Sequence, residues 1–326
     1  MKKVLILTDG KAGHENQSKA LARALGCDFD LATVVMSKSE KPMTYYCDFL
    51  TGTLKLGFFN FVSDSCFCLA PRFDELKSKG YAAVIGTGSG TFFAAKRTAR
   101  RLGVKCAVVL YPRGYHLKGF DCILAPAFDR PKAAPNVIEI PANLVAADED
   151  FYAKGVAAFR ERHEPKGEAV AVIVGGPNKC STMDPEWMRG QLDKIFYAKL
   201  NPGAAPGAPE TEYWVTTSRR TPPEVEAVVD SYPWDYKLLY SQDHFNPIPA
   251  FVKLAKRLFV TAESTGMLSE SCTFGTAEVI ALDNLNPGPH KFRRFVEDLR
   301  RDGYVDGCRK VDLSAQFARA KTLLGL

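Results

Sequence analysis

Short apolar runs, each stopped by a glycine- or hydroxyl-rich turn and followed by an amphipathic stretch, recur along the whole chain, and this alternation constrains the fold more than any other feature. Val4-Leu-Ile-Leu precedes a helix-like segment over Glu15–Leu25, where Ala20, Leu21, Ala24 and Leu25 share a face and Gly26 closes the run. The pair reads as a βα unit. Further strands are expected at Leu31–Met36, Ala82–Ile85, Ala107–Leu110, Cys122–Leu124 and Val137–Ile140, with a helix over Gly90–Leu102 exposing a basic side that carries Arg97 and Arg101. A second series follows at Ala169–Gly176, Tyr213–Ser218, Lys237–Tyr240, Arg257–Thr261 and Glu278–Leu282. Strands that alternate with helices build parallel, doubly wound sheets.

A chain of 326 residues suits two cores rather than one. The charged, Pro- and Gly-containing stretch His163–Glu168, preceded by a helix over Phe151–Arg162, marks the junction. The expected organisation is a Rossmann-like domain over residues 1–150, a linker helix and loop over 151–168, and a second Rossmann-like domain over 169–326. Asn201–Pro209 reads as a loop from its Pro and Gly content. With 46% hydrophobic and 25% charged residues the chain is globular rather than disordered. Its nine cysteines include no Cys-x-x-Cys pair and read as reduced, mostly buried thiols. Cys180 reads as a simple thiol, not a nucleophile.

The opening apolar run is too short for a signal-peptide core, so a cytoplasmic protein is expected. No apolar stretch reaches the length of a spanning helix; the nearest, Tyr45–Ala70, is broken by Asp48, Lys55, Asn60 and Asp64. Residues 1–135 hold 20 Lys+Arg against 11 Asp+Glu, a net +9, and the remainder is net −3. That basic front half suits an anionic acceptor or the inner face of an anionic membrane, contacted peripherally. Nothing suggests nucleic acid. Asp28-Phe-Asp30 and Asp148-Glu-Asp150 resemble a metal-binding Asp-x-Asp only superficially, so no metal and no cofactor are expected.

In doubly wound sheets ligands bind beyond the carboxyl ends of strands. The first such turn, Thr8-Asp-Gly-Lys-Ala-Gly-His-Glu-Asn-Gln, has Gly10 and Gly13 where the backbone is free to approach a ligand, and Gln17 beyond them. It lacks the spacing of a dinucleotide fingerprint, which argues against a dehydrogenase. His14 and Glu15 are the candidates for removing a proton from an acceptor hydroxyl. Gly86-Thr-Gly-Ser-Gly, with Gly86, Gly88 and Ser89, and Tyr111-Pro-Arg113 end the next strands and complete an expected acceptor site, Arg113 as an anion clamp. In the second half Gly175, Gly176 and Asn178 suit main-chain contact with a diphosphate, and Ser218, Arg219 and Arg220 form an anion site. The strongest element is Val260-Thr-Ala-Glu-Ser-Thr-Gly-Met-Leu-Ser-Glu. There a helix start at Ser264, Thr265 and Gly266 would hold the diphosphate and Glu270 the ribose hydroxyls.

Asp9-Gly-Lys-Ala-Gly-His-Glu-Asn-Gln, Thr216-Thr-Ser-Arg-Arg-Thr-Pro and the Val260–Glu270 motif together resemble the mitochondrial-fission "elongated mitochondria" family, over nearly the whole chain. Bacterial members of that family are often labelled nucleoside-diphosphate-sugar epimerases. The resemblance implies a GT-B-like fold, two Rossmann-like doubly wound domains facing a cleft, with the acceptor on the N-terminal domain and a nucleotide-sugar on the C-terminal one. The reading that follows is a metal-independent glycosyltransferase moving a sugar to an anionic or lipid-linked acceptor, as in cell-envelope glycan synthesis. Two alternatives are a sugar-nucleotide 2-epimerase on the same fold and a non-catalytic, peripheral-membrane fission scaffold that keeps a nucleotide pocket. For the scaffold, the aromatic Tyr45–Phe67 region is either an interfacial anchor or core.

Overall fold

Five of the six residues of β1 (Lys3–Thr8) are buried, as a strand with neighbours on both sides and helices on both faces requires. The computed structural model describes residues 1–37, 40–53, 66–200 and 211–326. After β1 come α1 (Ala12–Ala24), β2 (Asp28–Val35), α2 (Glu40–Thr53), β3 (Cys68–Ala70), α3 (Phe73–Lys77), β4 (Ala83–Thr87), α4 (Phe92–Leu102), β5 (Lys105–Val109), β6 (Cys122–Pro126) and β7 (Val137–Ile140). They form a seven-stranded sheet in the order β3-β2-β1-β4-β5-β6-β7. All neighbours are parallel except β3, which runs antiparallel to β2 at the edge.

The second series is α5 (Glu149–Arg160), β8 (Glu168–Ile173), α6 (Pro185–Ile195), α7 (Tyr197–Leu200), β9 (Thr211–Thr216), α8 (Pro223–Asp230), β10 (Tyr236–Leu238), α9 (Ile248–Leu254), β11 (Ala255–Thr261), α10 (Thr265–Phe274), β12 (Glu278–Leu282), α11 (Lys291–Arg301) and α12 (Ser314–Leu324). Its sheet is parallel throughout, in the order β10-β9-β8-β11-β12. In both sheets the strand order reverses once, between β1 and β4 and between β8 and β11. Such reversals open a crevice at the carboxyl ends of the two strands.

The chain divides into two compact units, residues 1–146 with 312–326, and residues 147–311. The boundaries differ from the expected ones in two respects. α12, placed by sequence in the second domain, packs beside β5, β6 and β7 of the first unit. α5, read as a linker helix, packs against α9 inside the second. Its Phe159 is fully buried among Trp214, Tyr236 and Phe251. Asp148 caps it by accepting from the Phe151 amide, and Asp30 pairs with Lys3 at 2.8 Å and accepts from the Tyr81 hydroxyl at 2.7 Å. Both acidic triplets thus have structural work.

Arg97 is buried rather than on an exposed basic side of α4, because α2 packs over that helix. Six of the nine cysteines are buried, none is in a disulfide, and Cys68 and Cys308 are exposed. Among the described residues no helix is long and apolar enough to cross a membrane. The expected loop Asn201–Pro209, and residues 54–65 of the expected Tyr45–Phe67 anchor, lie outside the described residues.

Candidate active-site loops

At the β1/β4 reversal the turn after β1 is closed by Gly10, at φ +77, whose amide donates to the Thr8 hydroxyl. The turn places Asp9 opposite the first turn of α1. Both Asp9 carboxylate oxygens lie 3.1 Å from His14 Nδ1. A carboxylate only accepts, so Nδ1 is the donor of this pair. Nε2 has no hydrogen-bond partner among the described residues. Burial pushes the Asp9 carboxyl up, but the Lys11 ammonium at 2.8 Å and the His14 ring outweigh it and hold Asp9 below its ordinary value. Asp9 is therefore a carboxylate at neutral pH. Glu15 is a weaker candidate: its bond to Lys19, 2.7 Å away, holds it low against slight burial, with a smaller contribution from Thr8.

The glycines after β4 serve this pair. A Cβ on Gly88, at φ +81, would lie 2.3 Å from His14 Cε1, and one on Gly90 would lie 2.7 Å from Asp9 Oδ2. A Cβ on Gly86 would meet Thr91 Oγ1 at 2.8 Å. The close approach expected here of a ligand is made instead by the protein's own side chains. Ser89 accepts from Lys41 Nζ at 2.9 Å. Arg113 is not an open clamp; it donates to the Asp129 carbonyl and lies over the Tyr111 ring. Gln17 is half-buried and its Nε2 donates to the Gly13 carbonyl at 3.4 Å. Open space surrounds the Cα hydrogens of Gly10 and Gly13.

At the β8/β11 reversal the expected diphosphate amides are already used. Gly175 donates to Thr261 Oγ1 at 2.9 Å and Gly176 to Glu263 Oε1 at 2.8 Å. Glu263 also accepts from the Thr261 hydroxyl at 3.0 Å and from Asn284 Nδ2 at 2.8 Å. Burial nevertheless raises its carboxyl above the ordinary value. Gly176 is packed on the turn after β9, where a Cβ would lie 2.2 Å from the Arg220 carbonyl oxygen. Asn178 makes a local turn, accepting from the Cys180 amide. Ser218 holds its own turn by accepting from the Arg220 amide at 3.2 Å.

Three features of this unit remain available to a ligand. Arg219 and Arg220 are exposed, and their guanidinium groups have no partner among the described residues. Ser264 is buried and its hydroxyl does not cap α10. The Thr265 amide turns back to the Glu263 carbonyl and Leu268 bonds Ser264, which leaves the Gly266 and Met267 amides without an acceptor among the described residues, at the positive end of the helix. Gly266 itself is exposed. Glu270 is half-buried, and burial raises its carboxyl, opposed by the Tyr152 hydroxyl that donates to Oε1 at 3.0 Å. Its other oxygen has no partner among the described residues.

A family model described as mitochondrial fission ELM1 matches residues 12–320. The chain belongs to that family. No curated protein matches it in sequence. Among solved structures, the UDP-GlcNAc 2-epimerase of Neisseria meningitidis bound to UDP-GlcNAc superposes on this ELM1-family chain with a TM-score of 0.50 at 12% identity, covering 100% of both chains. A Staphylococcus aureus MnaA–UDP complex gives 0.48 at 12% identity, over 100% of this chain and 98% of its own. Acinetobacter baumannii MurG gives 0.49 at 13%, over 99% and 91%. The ELM1-family chain thus has the GT-B fold.

Asp9, Tyr152 and Asn284 were not singled out from sequence. Asp9 stands within the first motif, and its spacing of five residues from His14 across a glycine turn was the available signal. Tyr152 is far from Glu270 in the chain and only folding joins them.

Proposed function

We propose that this protein transfers a sugar from a nucleotide-activated donor to an acceptor hydroxyl. The observation that carries the reading is the Asp9–His14 pair at the β1/β4 reversal, with its ring nitrogen unengaged. In the proposed step His14 Nε2 takes the acceptor hydroxyl proton while that oxygen attacks the anomeric carbon. The bond from that carbon to the diphosphate oxygen breaks, and the nucleoside diphosphate leaves with the electron pair. Asp9 orients the ring and stabilises the imidazolium that forms. Arg219, Arg220 and the α10 amides neutralise the leaving diphosphate, work that fixed donors do without reorganisation. Glu270 accepts from ribose hydroxyls. Residues 1–146 would then handle the acceptor, whose expected anionic or lipid-linked character suits their positive charge, and residues 147–311 the nucleotide.

The test is a panel of nucleoside diphosphates and sugar nucleotides scored by melting temperature, since a ligand that binds only the native state raises it. One nucleotide is expected to give a selective shift. Changing Arg219 and Arg220 together to Ala should weaken that nucleotide about 10- to 100-fold, because each removed guanidinium costs a charge-assisted hydrogen bond. An unchanged shift would remove both arginines from the donor site. Glu270→Ala should cost the nucleoside diphosphate about tenfold while leaving the affinity for inorganic pyrophosphate unchanged, because only the ribose contact is lost. Equal loss for both ligands would assign Glu270 to the fold of α10 instead. A donor that is consumed without any acceptor, with its sugar epimerised, would replace the transferase reading by the epimerase one.

A further inference from the structure

Within residues 147–311 one buried hydroxyl has no part in the transfer step above. Tyr152 of α5 is fully buried, and its ring packs on Phe151 and Phe274 with centroids 5.5 Å and 5.1 Å away. Its hydroxyl donates to Glu270 Oε1 at 3.0 Å. Burial raises the tyrosine well above its ordinary value, and the Glu270 charge and bond add to this, so the hydroxyl is a permanent donor. Oε2 of Glu270 has no partner among the described residues. Glu270 follows Gly266 by four residues, which puts the two on one face of α10 and about 6 Å apart along its axis. That spacing suits a nucleoside diphosphate whose phosphate meets the helix-start amides and whose ribose lies over the next turn.

The other ionisable groups around the pair are matched elsewhere. Lys253 of α9 stands over the Tyr152 ring at 4.8 Å and is offset by Glu149 of α5, 3.0 Å from its ammonium. On α10 itself Cys272 donates to the Tyr304 carbonyl at 3.3 Å. At the start of that helix Glu263 is spent on Thr261, Gly176 and Asn284. On β11 and β12, Arg257 pairs with Glu278 at 3.2 Å and Lys256 with Glu168 at 3.8 Å, all at the amino ends of strands. Burial thus pushes the Glu270 carboxyl up, and the Tyr152 bond opposes it.

We propose that Tyr152 is a positioning residue for ribose recognition: it holds Glu270 by Oε1, turns Oε2 to the ribose hydroxyls, and makes the preference for ribonucleotides depend on pH. The proposal rests on the reading of this unit as the nucleotide binder. A carboxylate oxygen accepts from a ribose hydroxyl, whereas a protonated carboxyl has lost acceptor capacity to its own O–H. The preference is therefore full above the folded value of Glu270 and declines as pH falls through it. Without the Tyr152 hydroxyl burial is unopposed, and the decline begins at higher pH.

The experiment is calorimetric titration of the full chain with uridine, cytidine, adenosine and guanosine diphosphates and with the 2′,3′-dideoxy counterpart of each, from mildly acidic to neutral pH. The ratio of the two affinities cancels the titration of the phosphates, which both ligands share. The wild type should prefer the ribonucleotide about tenfold at neutral pH, the worth of one charge-assisted contact, and lose that preference in acid. Tyr152→Phe keeps the ring; it should move the decline to higher pH and cut the preference about threefold at a pH where the wild type still shows it. Glu270→Gln keeps the shape but cannot titrate, and should give a small preference that is the same at every pH. A Tyr152→Phe protein with the wild-type profile overturns the proposal. So does an equal loss of both nucleotides in that variant, which would make Tyr152 a packing residue alone. Binding of a nucleoside diphosphate with no ribose preference at any pH overturns the proposal and leaves the donor reading standing. A folded wild-type protein that binds none of the nucleotides removes both.

Discussion

Replacing His14 with Ala should lower kcat for sugar transfer about 10²- to 10⁴-fold, the range that one positioned proton acceptor supplies, and leave donor affinity unchanged. The expectation rests on the division of labour in the fold. His14 stands after β1, whereas the groups proposed to bind the donor, Arg219, Arg220 and Glu270, belong to the other compact unit. Asp9→Asn should act in the same direction but less, about 10- to 100-fold on kcat, because the ring keeps a neighbour but loses the charge that fixes its tautomer and stabilises its protonated form. Glu15→Gln should leave kcat within about twofold, since Glu15 is already committed to Lys19 and contributes only about the energy of an exposed helix ion pair. Steady-state kinetics on the purified variants with donor and acceptor varied separately check all three. Wild-type turnover in the His14→Ala protein would take the proton-acceptor role away from this residue. A loss in Glu15→Gln as large as that in His14→Ala would transfer the role to Glu15.

The strand–helix alternation carried most of the architecture because a parallel sheet covered on both faces writes itself as near-continuous apolar runs. Val4–Leu7, Cys106–Val109 and Val170–Ile173 are such runs and all are buried strands. What the pattern could not reveal was contact between residues distant in sequence. The edge strand Cys68–Ala70 is three residues long and mostly exposed, too short for any periodicity. α12 looks like any other C-terminal amphipathic helix, and only its packing beside β5, β6 and β7 assigns it to the first unit. The glycine motifs were visible, but their meaning was ambiguous. A glycine marks a close approach without naming what approaches. At Gly88 it is the His14 ring, at Gly175 the Glu263 carboxylate, and at Gly176 the backbone of Arg220. The sequence reading assigned these approaches to substrate, and the substitution of protein for ligand leaves the arginines, the α10 amides and Glu270 as the groups that still face outward. His14 was legible as a candidate proton acceptor beside Glu15, and its neighbour Asp9 was not, because an aspartate before glycine in a turn is common for backbone reasons alone.

Glu263→Ala should lower stability by about 3 kcal/mol or more, equivalent to a fall in Tm of about 6–12 °C for a unit of this size. The carboxylate is the acceptor for the Gly176 amide, the Thr261 hydroxyl and Asn284 Nδ2. Removing it strands three buried donors at once, each of which is costly when unmet. Its removal also opens the space that Gly175 was small enough to yield, for a Cβ on Gly175 would sit 2.1 Å from Glu263 Oε1. Gly175→Ala alone should therefore destabilise the wild type by overpacking, about 1–3 kcal/mol, yet cost less in the Glu263→Ala background, where the clashing oxygen is gone. The two losses should be less than additive, which is the signature of contact. Additive losses would show that Gly175 is constrained by something other than Glu263. The pH dependence has a definite sign. Burial raises the Glu263 carboxyl in the folded state above its ordinary value of 4.5, its hydrogen bonds only partly opposing this. The folded protein therefore binds more protons than the unfolded chain in the window between the two values, and stability falls as pH rises through that window. Below pH 4.5 the contribution is fully present; above the folded value it is lost. Urea melts of the wild type and of Glu263→Ala across mildly acidic pH should thus show a difference in stability that narrows as pH rises. A gap that widens instead would mean that the three donors outweigh burial and hold Glu263 as a carboxylate.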